Sequence, residues 1–181
     1  MIEVELKARL ADREAAEKRV ASFAKYLRGF VKADEYWHGP DWRFVRGTKG
    51  FRLRQDDGKI LVNFKHRRNE GGIEINKETE FAVSDAAAFV AFVSRIGCER
   101  FYNKRKSGRA YEYDGATIEL VTVEGLGDFI EIEKLAKTDN PEEIAVARGI
   151  IRKILDMSGV ADTEIEGRSY SELMIAGQKP Y

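Results

Sequence analysis

The sequence has little of what marks several large protein classes. Cys98 is its single cysteine, which excludes an intramolecular disulfide and any CxxC metal site. His38 and His66 are too few and too far apart for a zinc centre or a catalytic triad, and read as surface or loop residues. The longest apolar run, Ala86 to Val93, is far too short to span a bilayer. The start, Met1-Ile2-Glu3-Val4-Glu5, has neither the basic nor the apolar segment of a signal peptide. These absences predict a soluble protein of the cytoplasm. Net charge is missing too: 31 Lys+Arg balance 31 Asp+Glu. That removes the electrostatic footprint of a general nucleic-acid or anionic-membrane binder. There is no GxxxxGK[ST] loop, and Gly125-Leu126-Gly127 lacks the third glycine and the following helix of a dinucleotide fingerprint.

What is present is a chain of 181 residues, the length of a single domain over 1–181 that buries roughly two thirds of its unfolded surface. It is 43% hydrophobic, and its 34% charged residues exceed the usual quarter or so. Ile2, Val4 and Leu6 alternate with Glu3, Glu5 and Lys7, the period of a strand. Asp12 can cap a helix through Ala16, Val20, Phe23, Ala24 and Leu27. A strand near Lys32 to Trp37 leads to a loop marked by Gly39-Pro40 and Gly47. Phe51–Arg54 and Ile60–Lys65 flank Asp57-Gly58, a hairpin pair, and Gly71-Gly72 precedes a strand from Ile75 to Val83. A helix from Ser84 places Phe89, Phe92, Val93 and Ile96 on one side and stops at Gly97. Cys98, just after it, reads as a small buried residue.

Strands near Phe101–Lys106 and Arg109–Tyr113, the Asp114-Gly115 turn, Ala116–Val123 and Asp128–Lys134 follow. Asn140-Pro141-Glu142-Glu143 is a strong helix start, with Ile144, Ala147, Ile151, Ile154 and Leu155 on the buried face and Gly159 at the end. A short helix runs from about Ser169 to Ala176. The expected class is α+β, an antiparallel sheet of eight or so strands that forms a closed or nearly closed, pseudo-duplicated β-barrel with flanking helices.

Charge follows strand parity. Glu3, Glu5 and Lys7 share one face, as do Arg52 and Arg54, Asn63, Lys65 and Arg67, Glu78 and Glu80, Lys104 and Lys106, and Glu131 and Glu133. An ordinary sheet with one wet face accounts for any one strand. Six such strands also fit a sheet curled around a charged interior. Desolvated ions cost several kcal/mol each unless paired, hydrated or bound to a ligand. Carboxylates beside Lys and Arg suit a metal–polyphosphate complex, because oxygen ligands hold Mg²⁺ or Mn²⁺ and cations neutralise phosphate oxygens.

Glu3-Val4-Glu5-Leu6-Lys7 resembles the ExExK signature of the CYTH superfamily, the triphosphate tunnel metalloenzymes, whose members include class IV adenylyl cyclases and thiamine triphosphatases. The resemblance continues in order along the chain. Asp34-Glu35-Tyr36 is similar to the family's D-x-Y, and Phe51-Arg52-Leu53-Arg54 to its RxR strand. Val62-Asn63-Phe64-Lys65 resembles the strand ending in a phosphate lysine, and Lys77-Glu78-Thr79-Glu80 the ExE strand. Lys104-Arg105-Lys106 falls where K-x-R is usual. The segment from Val123 to Glu133 is similar to the VEGLGxFxExE of the cyclase branch, and Ser169-Tyr170-Ser171-Glu172-Leu173 resembles a C-terminal SYxxL.

The resemblance implies an eight-stranded tunnel holding a small triphosphate with Mg²⁺ or Mn²⁺. Metal falls to Glu3, Glu5, Glu131 and Glu133, with Glu78 and Glu80 in support. Phosphate falls to Lys7, Arg52, Arg54, Lys65, Lys104 and Lys106, and catalysis to Glu5, Lys7 and Glu131. It implies first a class IV cyclase-like enzyme that converts ATP to cyclic AMP and pyrophosphate, with a hydrolase of thiamine triphosphate, tripolyphosphate or a nucleoside triphosphate as the alternative. A third reading is a module that only binds polyphosphate. Nucleic acid enters only as a 5′-triphosphate end, and oligomerisation is left open. Two positions depart from the pattern: Lys106 stands where arginine is usual, and Val121 where the cyclase branch usually has aspartate. Glu119, on the same strand face as Val121, is a displaced substitute. The Val121 departure bears on cyclisation more than on triphosphate binding.

Overall fold

Two-residue turns with left-handed backbone angles set the strand pairing. Asp57 and Gly58 adopt φ of 50° and 73°, and Asp114 and Gly115 adopt 53° and 64°, the geometry a tight hairpin demands. They join strands in a computed structural model that describes residues 2–39 and 50–176. The Pro40 and Gly47 loop markers lie outside the described residues. The elements are β1 (Ile2–Arg9), α1 (Arg13–Phe23), β2 (Lys25–His38), β3 (Gly50–Asp56), β4 (Lys59–Glu70), β5 (Ile73–Ala82), α2 (Ala86–Arg95), β6 (Glu99–Tyr113), β7 (Ala116–Val123), β8 (Gly127–Ala136), α3 (Pro141–Met157), a 3-10 turn (Asp162–Glu164) and α4 (Tyr170–Ala176). The strands hydrogen-bond in the order β1-β5-β4-β3-β2-β6-β7-β8 and close into a barrel, as expected from the sequence.

The chain divides into two compact units, one of Met1–Phe30, His66–Lys77 and Ser107–Tyr181, the other of Val31–Lys65 and Glu78–Lys106. The first has the larger core. Val4, Leu6, Ile118, Leu120, Ile130 and Ile132 are fully buried, in one cluster with Val20 of α1 and Ile151 and Ile154 of α3. Each such side chain is worth about 1.5–3 kcal/mol of burial. That apolar set fixes which parity of β1, β7 and β8 faces the helices, and so which parity carries Glu3, Glu5, Glu119, Glu131 and Glu133 on the other face. A satellite cluster of the same unit gathers Phe30, Ala110, Val121, Val123, Phe129, Tyr170 and Leu173. The second unit buries Trp37, Leu53, Val62 and Val93, with Phe89, Val90 and Cys98 packed against them. Cys98 is half-buried there.

Helix ends follow local chemistry. Asp12 accepts from Ala15 N at 2.9 Å and Asp85 from Ala88 N at 2.9 Å. The second cap places the start of α2 at Ala86, just after the expected Ser84. Asn140 Oδ1 accepts from Glu142 N at 2.9 Å. Glu143, at the third helical position, accepts from the Lys137 and Thr138 amides at 3.1 and 3.0 Å, tying the β8–α3 connection to the helix.

Other expectations are corrected by tertiary pairing and packing. α1 ends at Phe23, and Ala24 and Leu27 are not helical: the chain continues as β2, rich in aromatic and β-branched residues, and Leu27 is left exposed. Residues Phe101–Lys106 and Arg109–Tyr113 belong to one strand, β6. Gly108 does not break it but lets the backbones meet, since a Cβ there would run into the Leu120 carbonyl. Along α2, Phe92 and Ile96 are exposed and Val93 is buried, so the apolar stripe is offset from the expected one.

Candidate active site

In the first unit, the strand register builds a carboxylate row. On β1, Glu5 stands opposite Glu74 of β5 and Glu133 of β8. One step along the same face, Lys7 stands opposite Glu131, and Glu131 is also opposite Glu119 of β7. Glu3 stands opposite Asn76. Directly opposed side chains have Cβ atoms about 4.5–5.5 Å apart, so these carboxylates crowd one another. Burial and the adjacent Glu5 push the Glu74 carboxyl above its ordinary range, and Arg67, 3.1 Å away, only partly offsets this.

The C-terminal segment reaches the same face. Lys7 is buried, its Nζ donates to the Arg168 carbonyl at 2.5 Å, and it lies 4.7 Å from the Tyr170 ring centroid. The Tyr170 hydroxyl donates to Glu131 Oε1 at 2.6 Å. Burial, together with Glu131, Glu5 and Glu119, holds that phenol well above its ordinary pKa, so it stays a donor. Ser169 and Glu172 bond reciprocally at the start of α4: the Ser169 amide donates to the carboxylate at 2.6 Å, and the Glu172 amide donates to Ser169 Oγ at 3.1 Å.

The second unit carries the cations. Arg54 grips Asp34 with two hydrogen bonds, Nε at 2.7 Å and Nη2 at 3.0 Å. Lys104 Nζ lies 3.1 Å from the same carboxylate and Arg52 Nη1 3.8 Å from it. Although burial alone would raise it, Lys104, Arg54 and Arg52 hold the Asp34 carboxyl well below its ordinary pKa. Lys104 also donates to the Tyr36 hydroxyl at 3.1 Å. Burial opposes ionisation of that phenol, yet the surrounding Lys104, Arg52 and Arg54 bring its pKa below the usual value. Tyr36 stacks on Tyr102 with centroids 4.4 Å apart. Glu78 pairs with Lys65 at 2.6 Å and Arg52 at 3.7 Å, and accepts from the Asn63 amide.

Thus the structure brings Glu3, Glu5, Lys7, Glu131 and Glu133 together on β1 and β8. It gathers Arg52, Arg54, Lys65 and Lys104 with Asp34 and Glu78 in the other unit, and buries Lys106. Glu80 is exposed. Asp34, Glu74, Asn76 and Tyr170 join the site beyond the residues expected from the sequence, although Asp34 and Tyr170 stand in the D-x-Y and SYxxL segments. Asp34 was legible from its shared parity with Lys32 and Tyr36. Glu74 is hidden because the expected strand begins at Ile75, whereas β5 starts at Ile73; Asn76 shares the parity of Glu78 and Glu80 but carries no charge to mark it.

Among the described residues, no three acidic, histidine or cysteine side chains converge as a ready-made metal ligand set. The donor chemistry nevertheless fits a hard divalent cation. The donors are oxygen atoms on adjacent strands, and Glu5 is flanked on both sides by carboxylates whose repulsion a cation would relieve.

A closed antiparallel barrel of eight strands, with a row of opposed carboxylates on β1, β5, β7 and β8, is the architecture of the class. The chain belongs to the CYTH family, whose domain model matches residues 1–170. It is 25% identical over 174 residues to MJ0240 of Methanocaldococcus jannaschii, a protein provisionally named adenylate cyclase, covering 96% of this chain and 98% of that one. Among solved structures, the PH1819 protein of Pyrococcus horikoshii OT3 matches with a TM-score of 0.86 and 28% identity, covering 97% of this chain and 99% of its own. HpAC1 of Hippeastrum, described as having a dominant triphosphatase activity, shares the fold with a TM-score of 0.69 at 16% identity, over 99% of this chain and 97% of that one. No helix among the described residues is long and apolar enough to cross a membrane.

Proposed function

We propose that the chain is a divalent-metal-dependent triphosphatase that cleaves the terminal phosphate of a small triphosphate. The observation that carries this reading is the fixed cation cluster around Asp34. Lys104, Arg52 and Arg54 are desolvated and oriented before any ligand arrives, which is how charge on a transferring phosphoryl group is best stabilised. Lys65 and Lys106 extend that set, and Lys7 adds a cation on the carboxylate side. Glu3, Glu5, Glu131 and Glu133 would hold Mg²⁺ or Mn²⁺, which when bound polarises a phosphoryl oxygen and lowers the pKa of water.

For the chain itself, hydrolysis divides into three tasks. The cations orient the phosphates. Tyr170 fixes the Glu131 carboxylate through its 2.6 Å hydrogen bond. A carboxylate of the Glu5–Glu131 set takes the proton of the attacking water as the terminal P–O bond breaks, releasing orthophosphate and a diphosphate.

Cyclisation is the second reading, favoured by the Val123–Glu133 segment. Val121 argues against it: the side chain is fully buried in the apolar cluster with Phe30, Phe129 and Tyr170. It therefore offers no oxygen for a metal or a ribose hydroxyl. Assays of ATP and thiamine triphosphate with Mg²⁺ and Mn²⁺, repeated with Glu5→Ala and Arg54→Ala, test the site. Both variants are expected to lose at least a hundredfold in turnover, and unchanged turnover in both would refute the assignment. A wild type that turns over nothing yet is stabilised by tripolyphosphate is a binder instead.

A further inference from the structure

Asn76 lies on the same face of β5 as Glu74 and opposite Glu3 of β1. It is 0% exposed, and neither its Oδ1 nor its Nδ2 makes a hydrogen bond. Its amide lies near enough to Glu74 to temper that carboxyl's raised pKa without reaching hydrogen-bonding geometry. A buried primary amide with no partner costs several kcal/mol, and native interiors satisfy nearly all such groups. An apolar residue of similar volume would avoid that cost. Asparagine here therefore calls for a ligand that fills its hydrogen bonds.

The neighbours define that ligand. Glu3, Glu5 and Glu74 surround this stretch of β1 and β5 with acceptor-only groups, which cannot donate to Oδ1 when ionised. What reconciles crowded carboxylates with an unfilled amide oxygen is a cation that carries donors. A hydrated divalent ion does so, because Mg²⁺-type ions keep several of their waters when bound by one or two carboxylates. We infer that Asn76 is an outer contact of the metal site, its Oδ1 accepting from a metal-bound water and its Nδ2 released to a carboxylate or phosphate oxygen. This rests on the reading of the β1 and β8 glutamates as metal ligands. It adds a residue on β5 that neither binds the ion directly nor serves packing.

The outer role separates from a structural one in metal-free protein. Asn76→Leu keeps the volume and removes the orphaned polar group, so the metal-free variant is expected to melt at or above the wild-type temperature. Mn²⁺ binding, read from the loss of the free hexaaqua-Mn²⁺ electron paramagnetic resonance signal, is expected to weaken by about 10–100-fold, as for other residues that support ligands from outside. A metal-free variant that melts well below wild type while binding Mn²⁺ with unchanged affinity would overturn the inference and leave asparagine a packing residue. Wild type that binds no Mn²⁺ would overturn the metal reading itself, and this inference with it. Should Asn76→Leu fail to fold, Asn76→Asp decides: an added carboxylate at the ion is expected to tighten Mn²⁺ binding, and equal or weaker binding would overturn the inference.

Discussion

Asp34 is the point where the stability of the cation cluster can be measured. Its side chain is 0% exposed, and it meets Lys104, itself 3% exposed, at 3.1 Å. It also meets Arg54 through two hydrogen bonds and Arg52 at 3.8 Å. Asp34→Asn keeps the shape but removes the charge, and turns one acceptor into a donor facing other donors. Breaking a buried pair by neutralising one partner costs about 3–5 kcal/mol, because the remaining charges stay desolvated. With a urea slope of about 2–3 kcal/mol per molar, the unfolding midpoint should fall by about 1–2.5 M.

The pH dependence carries a second signature. The folded pKa of Asp34 lies well below the unfolded value of about 3.9. Its stabilisation is therefore complete above about pH 4 and is lost as pH falls through the folded pKa, where the native carboxylate is finally protonated. The gap between wild type and Asp34→Asn should be widest near neutrality and narrow below pH 4. A loss under about 1 kcal/mol, or a gap that does not change between pH 5 and pH 2, would refute the claim that Asp34 is the buried anchor of the cluster.

Two further outcomes follow from single positions. Glu74 has a folded pKa above its unfolded value, so its ionised form costs stability as pH rises past about 4.3. Metal-free Glu74→Gln should melt higher than wild type at pH 7 and equally at pH 4, and a lower melting temperature at pH 7 would contradict the crowding. Gly108→Ala places a Cβ against the Leu120 carbonyl and the Val121 Cα, which are backbone atoms that cannot swing away. It should cost about 1–3 kcal/mol by calorimetry, and an unchanged melting temperature would show that the β6–β7 approach is looser than drawn.

The sequence was most legible where one physical rule acts alone. Asp57-Gly58 and Asp114-Gly115 sit at left-handed angles because few other residue pairs tolerate them. The parity of Glu3, Glu5 and Lys7 survives intact because Val4 and Leu6 must reach the core. It was least legible where tertiary pairing overrides local spacing. Leu27 has helical spacing from Phe23, yet the residues around it go to β2. Gly108 looks like a break until β7 is alongside. Asp34 and Asn76 escaped the candidate site for a different reason: parity tells which face a carboxylate or amide takes, not what meets it there. Their importance lies in what surrounds them, three cations for one and no hydrogen-bond partner for the other.

The central claim is a reaction, and phosphorus nuclear magnetic resonance reads it directly. Tripolyphosphate and ATP are incubated with the protein and Mg²⁺ or Mn²⁺, and the products are followed. Orthophosphate accumulating with the matching diphosphate, only when metal is present, is the result expected. Pyrophosphate with cyclic AMP from ATP would contradict hydrolysis in favour of cyclisation, and intact triphosphates would contradict catalysis altogether.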